Sequence, residues 1–144
     1  MIDLAGYLRP DRMLRIGPAD RGALLRRLLA HASPAGPAAD PEQFSSVDLG
    51  HGFMLCHTRT SAGGDFRVVV GMLEEPFRWG RGEPVHTVFC VLVPIDRSRD
   101  YLTLLARLSR FLSDAETEAA FRARDACRVA ELAAAFRTGG AEAP

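Results

Sequence analysis

Apolar residues in the first part of the chain recur with helical spacing. Residues 2–8 can form one short helix that begins near Asp3, and "PADRGALLRRLLAH" predicts a longer one. Asp20 is the expected N-cap of that second helix, and leucines at 24, 25, 28 and 29 line one of its faces. The segment "ASPAGPAADP" then ends the helical pattern, because its prolines and glycine favour a surface loop or a locally mobile segment.

The pattern changes to strands in the middle of the chain. "GFMLCH" predicts a strand that ends at His57, and "DFRVVVGML" predicts a second strand, with "SAGGD" as the turn between them. "VHTVFCVLVP" is the most apolar run of the chain and ends at Pro94. Because it is hydrophobic at nearly every position, we expect a central strand that is covered on both faces.

Helical spacing returns in the last third of the chain. A helix is predicted over residues 101–112 with Asp100 as its N-cap, and "SDAE", starting at Ser113, has the pattern of a capping box for the next helix. A third helix should begin after Asp125 and stop at Gly139. A helix, then strands, then helices predict an α/β sandwich, a small sheet with both faces covered.

Length, charge and terminal sequence restrict the class of protein. The chain has 144 residues, which suits one domain at 1–137 followed by a disordered tail at 138–144. The formal net charge is zero, which argues against a general electrostatic attraction to nucleic acid or anionic lipid. The start lacks the basic and apolar regions of a signal peptide, and no apolar run is long enough for membrane insertion.

Three cysteines bear on compartment and on metal binding. Their spacings match no zinc or redox motif, so a reducing compartment, the cytoplasm, is the simplest expectation. His51, Cys56 and His57 are close enough in sequence to suggest a metal site. Adjacent strand residues point to opposite faces, however, which argues against joint ligation and against a Cys56–His57 nucleophile pair. We predict no metal and no cofactor.

The segment "GHGFMLCHTRT" carries the candidate chemistry. His57 ends an apolar strand, and its imidazole, with an ordinary pKa near 6.5, can act as a nucleophile at neutral pH. Arg59 falls on the same strand face by period-2 parity and can form a fork with phosphate oxygens. His51 lies between two glycines, and it is either a further group at the same pocket or an exposed loop histidine.

The same segment resembles a motif of a known family. "GHGFMLCH" is similar to the Gly-x-Gly-x-apolar-apolar-Pro-His segment of enzyme IIA domains of the sugar phosphotransferase system, mannitol/fructose class, which includes stand-alone nitrogen-regulatory proteins. "LEEPFRWG", "VHTVFCVLVP", "YLTLLARLSRFLSDAE" and the opening "MIDLAGYLRPDRM" also resemble family segments, in the same order and with similar spacing. The resemblance implies a mixed β-sheet with helices on both faces.

The resemblance also implies a function. In this family a histidine accepts a phosphoryl group from the carrier protein HPr and passes it to a permease IIB component. By position that histidine is His57, supported by Arg59 and, where the family has a second histidine, by Tyr101. Because no permease domain is attached, a stand-alone or regulatory form is favoured, whose partner is then a regulatory target protein.

Departures from the family pattern leave a second function open. Cys56 replaces the motif proline, Tyr101 replaces the second histidine, and Pro41 replaces the arginine of an Arg-Glu pair in which Glu42 is kept. A degenerate module that binds a partner without moving phosphate is therefore the alternative. A third hypothesis, unrelated small-molecule binding on the same scaffold, has no sequence feature in its favour.

Overall fold

The computed structural model describes residues 2–32, 43–80 and 82–142. A five-stranded mixed sheet forms its centre, in the order β1-β4-β5-β3-β2. β5 is parallel to β3 and antiparallel to β4, β1 is parallel to β4, and β2 is antiparallel to β3. The strands are β1 Met13–Ile16, β2 Ser45–Gly50, β3 Phe53–Thr60, β4 Arg67–Arg78 and β5 Pro84–Pro94.

Helices cover both faces of the sheet, as predicted. The helices are α1 Leu4–Tyr7, α2 Arg21–Ala32, α3 Ser98–Leu112, α4 Ala115–Arg122 and α5 Ala126–Glu142. The leucine face of α2 packs on one side of the sheet, while α1, α3, α4 and α5 pack on the other. The central position predicted for "VHTVFCVLVP" is confirmed, because β5 is buried from Val85 to Pro94 and is hydrogen-bonded along both edges.

Several predicted local features are confirmed. Asp3 accepts a hydrogen bond from the Ala5 amide at the start of α1, and Asp20 accepts one from the Ala23 amide at the start of α2. Asp125 accepts one from the Arg128 amide at the start of α5. The turn "SAGGD" joins β3 to β4, although β5 lies between these two strands. The predicted loop "ASPAGPAADP" lies outside the described residues from Ser33 onward.

Other local predictions are wrong. α3 begins at Ser98, and Asp100 forms an ion pair with Arg97 at 2.8 Å instead of capping the helix. α4 is capped by Asp114, one residue later than the capping box predicted, because the Asp114 carboxylate accepts from the Thr117 amide. The short edge strands β1 and β2 were not predicted from the hydrophobic pattern, which is brief in β1 and polar in β2.

The last helix also differs from the prediction. α5 continues through Gly139 to Glu142, so most of the predicted 138–144 tail is helical and only its last two residues lie outside the described chain. A glycine inside a helix costs about 1 kcal/mol relative to alanine, which a helix can tolerate. The domain boundary at 137 stays a prediction.

The β2–β3 turn explains the two glycines of the motif. Gly50, His51 and Gly52 all have positive φ, at 83°, 55° and 84°. The His51 carbonyl accepts a hydrogen bond from Nε2 of His86 at 2.8 Å, which ties the turn to β5. Gly52 lies directly against that His86 ring, so a side chain has no room there.

Gly52→Ala should therefore destabilise the fold more than Gly50→Ala. Both alanines carry the same left-handed backbone penalty of about 1–2 kcal/mol. A Cβ at Gly52 would lie 2.4 Å from Cδ2 of His86, whereas a Cβ at Gly50 meets nothing within 4 Å. We expect urea unfolding to show an additional loss of about 2 kcal/mol for Gly52→Ala. Equal losses in the two variants would contradict this steric explanation.

Candidate functional site

His57 lies on β3 near the sheet centre. Its cross-strand neighbours are Ser45 on β2 and Val91 on β5. Strand alternation turns its side chain towards α3, the same side as the buried Leu55 and Val91. The side chain is half-buried. β3 thus places the His57 ring beside buried apolar side chains of the same face.

Tyr101 of α3 contacts the His57 ring directly. Its hydroxyl oxygen lies 3.0 Å from Nδ1 of His57, and the two ring centroids are 4.8 Å apart. Burial, with a smaller contribution from Cys56, raises the pKa of Tyr101 to about 12, so the phenol keeps its proton at neutral pH. Because Nδ1 is engaged in this way, Nε2 is the nitrogen that has no hydrogen-bond partner among the described residues.

A pocket of about 200 Å³ opens beside this pair. The side chains that line it come from β3, β5 and the first turns of α3: His57, Arg59, Val93, Ser98, Tyr101 and Leu102. Arg59 is exposed and follows His57 by two residues on the same strand face, as predicted. The pocket is large enough for a phosphoryl group, and it holds one cation and one hydroxyl besides the His57–Tyr101 pair.

The surroundings of His57 favour its neutral form. Burial, and secondarily the positive charge of Arg59, holds the pKa of His57 below its ordinary value of 6.5. At neutral pH the imidazole therefore retains a lone pair on one nitrogen, which nucleophilic attack requires. The site combines this nucleophile with a cation that can neutralise an incoming anion.

The predicted separation of Cys56 from His57 agrees with the structure. Cys56 is fully buried in the cluster on the α2 side, while His57 faces α3. Burial raises the pKa of the Cys56 thiol above its ordinary value of 9.0, against a smaller opposite effect of its contact with Ser46. Cys56 is therefore a core residue that shares neither a metal site nor a nucleophile pair with His57.

The structure does not bring His51 to the candidate site. His51 lies in the β2–β3 turn, where Nδ1 is 3.6 Å from the Glu118 carboxylate of α4. β3 begins at Phe53, beyond this turn, and His57 lies four residues further along the strand, or roughly 13 Å at 3.3 Å per residue. His51 is therefore not among the residues that line the His57 pocket, and its role in supporting a phosphate stays a prediction. Pro41 and Glu42, at the position of the family's Arg-Glu pair, lie outside the described residues.

Three pocket residues were not predicted from the sequence: Val93, Ser98 and Leu102. Ser98 and Leu102 line the pocket one helical turn apart on α3. The prediction started α3 three residues too late, which hid Ser98. The spacing of Ser98 and Leu102 on either side of Tyr101 is the signal that indicates a shared face once the helix start is known.

Comparison with known families and structures identifies the chain. Residues 39–136, which are 98 of the 144 residues, match the family described as phosphoenolpyruvate-dependent sugar phosphotransferase system, EIIA 2. The chain belongs to this family, which supports a role related to the phosphotransferase system, as a phosphocarrier or a regulator. A sequence comparison with curated proteins finds no match.

The fold is similar to that of a solved nitrogen regulatory protein, IIA-Ntr from Neisseria meningitidis. The TM-score is 0.75, and the match covers 90% of this chain and 98% of the other. Sequence identity is 19%, so the likeness shows a shared fold. None of the helices in the described part of the chain has the length and apolar character that crossing a bilayer requires.

An NMR titration of His57 should give a pKa below 6.5. Arg59→Gln should raise this pKa without restoring 6.5, since burial is the larger cause of the shift. In the wild type, the folded chain binds the His57 proton less tightly than the unfolded chain does. Protonation of His57 should therefore reduce the stability of the fold as the pH falls below about 6.5. The measurement is the pH dependence of the imidazole Cε1–H chemical shift.

Arg27→Gln is the matched control for that titration. Arg27 is exposed on α2, on the opposite side of the sheet from His57. Its replacement by glutamine removes the same charge as Arg59→Gln does. It should leave the His57 pKa unchanged. A wild-type pKa above 6.5, or equal shifts from the two arginine variants, would contradict the account of the site.

Proposed function

We propose that this protein is a phosphoryl carrier of the enzyme IIA type, which accepts a phosphoryl group from HPr on Nε2 of His57. The observation that supports this proposal best is that the two ring nitrogens of His57 have different surroundings. Tyr101 occupies Nδ1, Nε2 is left without a protein partner, and Arg59 lines the same pocket. The phosphoryl group would pass from His57 to a permease IIB component or to a regulatory target protein.

The proposed reaction exchanges one nitrogen–phosphorus bond for another. Nε2 of His57 attacks the phosphorus atom of the phosphohistidine on the donor, and the donor nitrogen leaves with the electron pair of the broken bond. Charge on the transferred group is spread over its three outer oxygens, so positioning and electrostatic stabilisation determine the rate. Arg59 is the cation that accompanies this group, and the Ser98 hydroxyl lies in the same pocket.

Attack by Nε2 requires the proton of the neutral imidazole to be on Nδ1. In that tautomer Nδ1–H donates to the Tyr101 oxygen, which is free to accept because a hydroxyl both donates and accepts. Tyr101 is thus a positioning residue for His57, and the same hydrogen bond is kept after the phosphoryl group arrives.

A second function uses the same face without chemistry. Tyr101 packs its ring against His57, and a phenol cannot exchange protons near neutral pH as a second histidine would. These observations favour a partner-binding regulatory module that has lost phosphotransfer. The half-exposed His57 and the pocket lined by Arg59 favour the carrier, and we adopt the carrier.

A cytoplasmic location stays a prediction.

Incubation with phosphoenolpyruvate, enzyme I and HPr should add one phosphoryl group to the protein. The added mass should be acid-labile, as for a phosphohistidine, and absent in His57→Ala. Intact-mass spectrometry before and after mild acid treatment measures both properties.

His51→Ala is the control for this assay, because His51 is an exposed histidine on the same strand pair but far from the pocket. It should be phosphorylated like the wild type. A folded wild-type protein that takes no phosphate from cognate HPr would favour the partner-binding module, and modification that survives in His57→Ala would place the acceptor elsewhere.

Tyr101→Phe should change the tautomer of His57 while leaving the packing nearly intact. Without the hydroxyl, Nδ1–H loses its acceptor, so ¹⁵N chemical shifts of the ring should move towards a mixture of the two tautomers. The rate of phosphorylation should fall by about tenfold, in line with the loss of one hydrogen bond of about 1.4 kcal/mol.

Tyr101→His is the informative second variant, because it restores a hydrogen-bonding ring and adds a group that titrates near neutral pH. It should recover part of the rate and add a second titration to the pH profile. Unchanged ¹⁵N shifts in Tyr101→Phe would show that the hydroxyl does not set the tautomer.

A further inference from the structure

A second pocket, of about 130 Å³, lies at the end of the sheet where β1 and β4 begin. Its lining includes five polar or charged residues: Tyr7, Arg9, Arg12, Asp65 and Arg67. It shares no lining residue with the His57 pocket, and β5 lies between β4 and β3 in the sheet. Three arginines against one carboxylate give this second pocket an excess of positive charge.

The carboxylate of the pocket has partners of its own. Oδ1 of Asp65 accepts from the Tyr7 hydroxyl at 2.8 Å and from the Phe66 amide at 2.7 Å. Arg97, which does not line the pocket, lies 3.6 Å from the same oxygen. Burial, and then the hydrogen bond to Asp65, raises the pKa of Tyr7 to about 12, so the phenol keeps its proton and continues to donate. Asp65 is therefore paired with groups other than the arginines of the pocket.

Two of the three pocket arginines have no acidic partner. Arg9 is held by Asp11 in a two-point ion pair, with Nε 3.1 Å from one carboxylate oxygen and Nη2 2.8 Å from the other. The guanidinium of Arg12 is partly buried, and it forms no hydrogen bond or ion pair with any described residue. Arg67 donates from Nη1 to the Ala32 carbonyl at 2.9 Å, and no carboxylate in the described part of the chain pairs with it. Arg12 and Arg67 are thus the cations available to a ligand.

The C-terminal end of α2 fixes the position of both cations. Nε2 of His31 donates to the Asp11 carbonyl at 2.8 Å, which ties the short 3₁₀ turn Pro10–Arg12 to the end of α2. The hydrogen bond of Arg67 reaches Ala32, the last residue of the same helix. Because these groups are anchored before a ligand arrives, less conformational freedom is lost when an anion binds between them.

We propose that this pocket binds a small dianion, a phosphate ester or a dicarboxylate, through the guanidinium groups of Arg12 and Arg67. A guanidinium presents pairs of parallel N–H donors that match two oxygens of a phosphate or a carboxylate. Two cations without acidic partners balance two negative charges. The volume of about 130 Å³ admits a molecule of a few carbon atoms, and it is too small for a nucleotide. The site is separate from His57, and its ligand is not the transferred phosphoryl group.

NMR titration of the ¹⁵N-labelled protein with methyl phosphate and, separately, with succinate tests this site. A pH of about 7.5 makes the phosphate ester a dianion, and a constant ionic strength of roughly 150 mM keeps charge screening the same at every point. At least one probe should shift the amide signals of Gly6, Arg12 and Phe66 saturably, with a Kd of about 1 mM or tighter. These residues line the pocket, so their signals report binding there.

Four arginine variants locate the binding. Arg12→Gln and Arg67→Gln should each weaken it about tenfold, because each removes a charge-assisted hydrogen-bond donor. Arg15→Gln is the matched control: Arg15 is exposed on β1 but does not line the pocket, so binding should stay within about twofold of the wild type. Arg59→Gln should also leave the affinity unchanged. Thermal unfolding shows that each variant is folded, and Arg12→Gln decides the outcome if loss of the Ala32 contact unfolds Arg67→Gln.

Saturable binding of either probe that Arg12→Gln weakens and Arg59→Gln does not supports the site, and the probe with the lower Kd identifies the ligand as a phosphate ester or a dicarboxylate. The absence of saturable binding by both probes up to about 20 mM overturns the proposal. Binding that is lost in Arg59→Gln and kept in Arg12→Gln overturns it as well, because the anion then lies at His57. Equal weakening in Arg12→Gln and Arg15→Gln would show a general attraction to surface arginines and would also overturn it.

Discussion

The double burial of β5 is the constraint on which the rest of the structure depends. β5 is hydrogen-bonded to β3 on one side and to β4 on the other, and helices cover both of its faces. Because β3 is paired in register with this fixed strand, the direction of every β3 side chain is fixed as well. His57 lies opposite Val91 and must face α3, while Cys56 lies opposite Cys90 and must face α2. A shift of one residue in the pairing of β3 with β5 would turn His57 into the core on the α2 side and place Cys56 at the pocket beside α3.

The position of His57 on this face makes the charged form of its imidazole unfavourable, and this keeps the ring neutral for its role at the site. The ring lies among buried apolar residues, so its charged form is disfavoured and its pKa is held below 6.5. The same surroundings leave Tyr101 as the group that satisfies Nδ1. A phenol with a pKa of about 12 holds its proton throughout the neutral range. The pair therefore contains one titrating group, where two histidines would share a proton and titrate together.

Most of the fold could be predicted from sequence, and the reasons for the exceptions are physical. The leucine face of α2, the apolar run of β5 and the caps at Asp20 and Asp125 are local signals that tertiary packing reinforces. β1 and β2 have too little apolar pattern of their own, and they form because a neighbouring strand offers a free edge. The boundary of α3 could not be read because an Asp100–Arg97 pair competes with capping.

The site divides in the same way. Strand parity was enough to place His57 and Arg59 on one face and Cys56 on the other, because it depends on backbone geometry alone. His51 could not be placed from sequence, since the turn that carries it away from the pocket depends on three successive positive φ angles and on the His86 ring. Ser98 and Leu102 depend on how α3 is rotated about its axis, which the burial of Tyr101 against His57 sets. Tyr101 is thus both a core residue and the orienting partner of the histidine, so the packing of α3 on the sheet and the geometry of the site are one interaction.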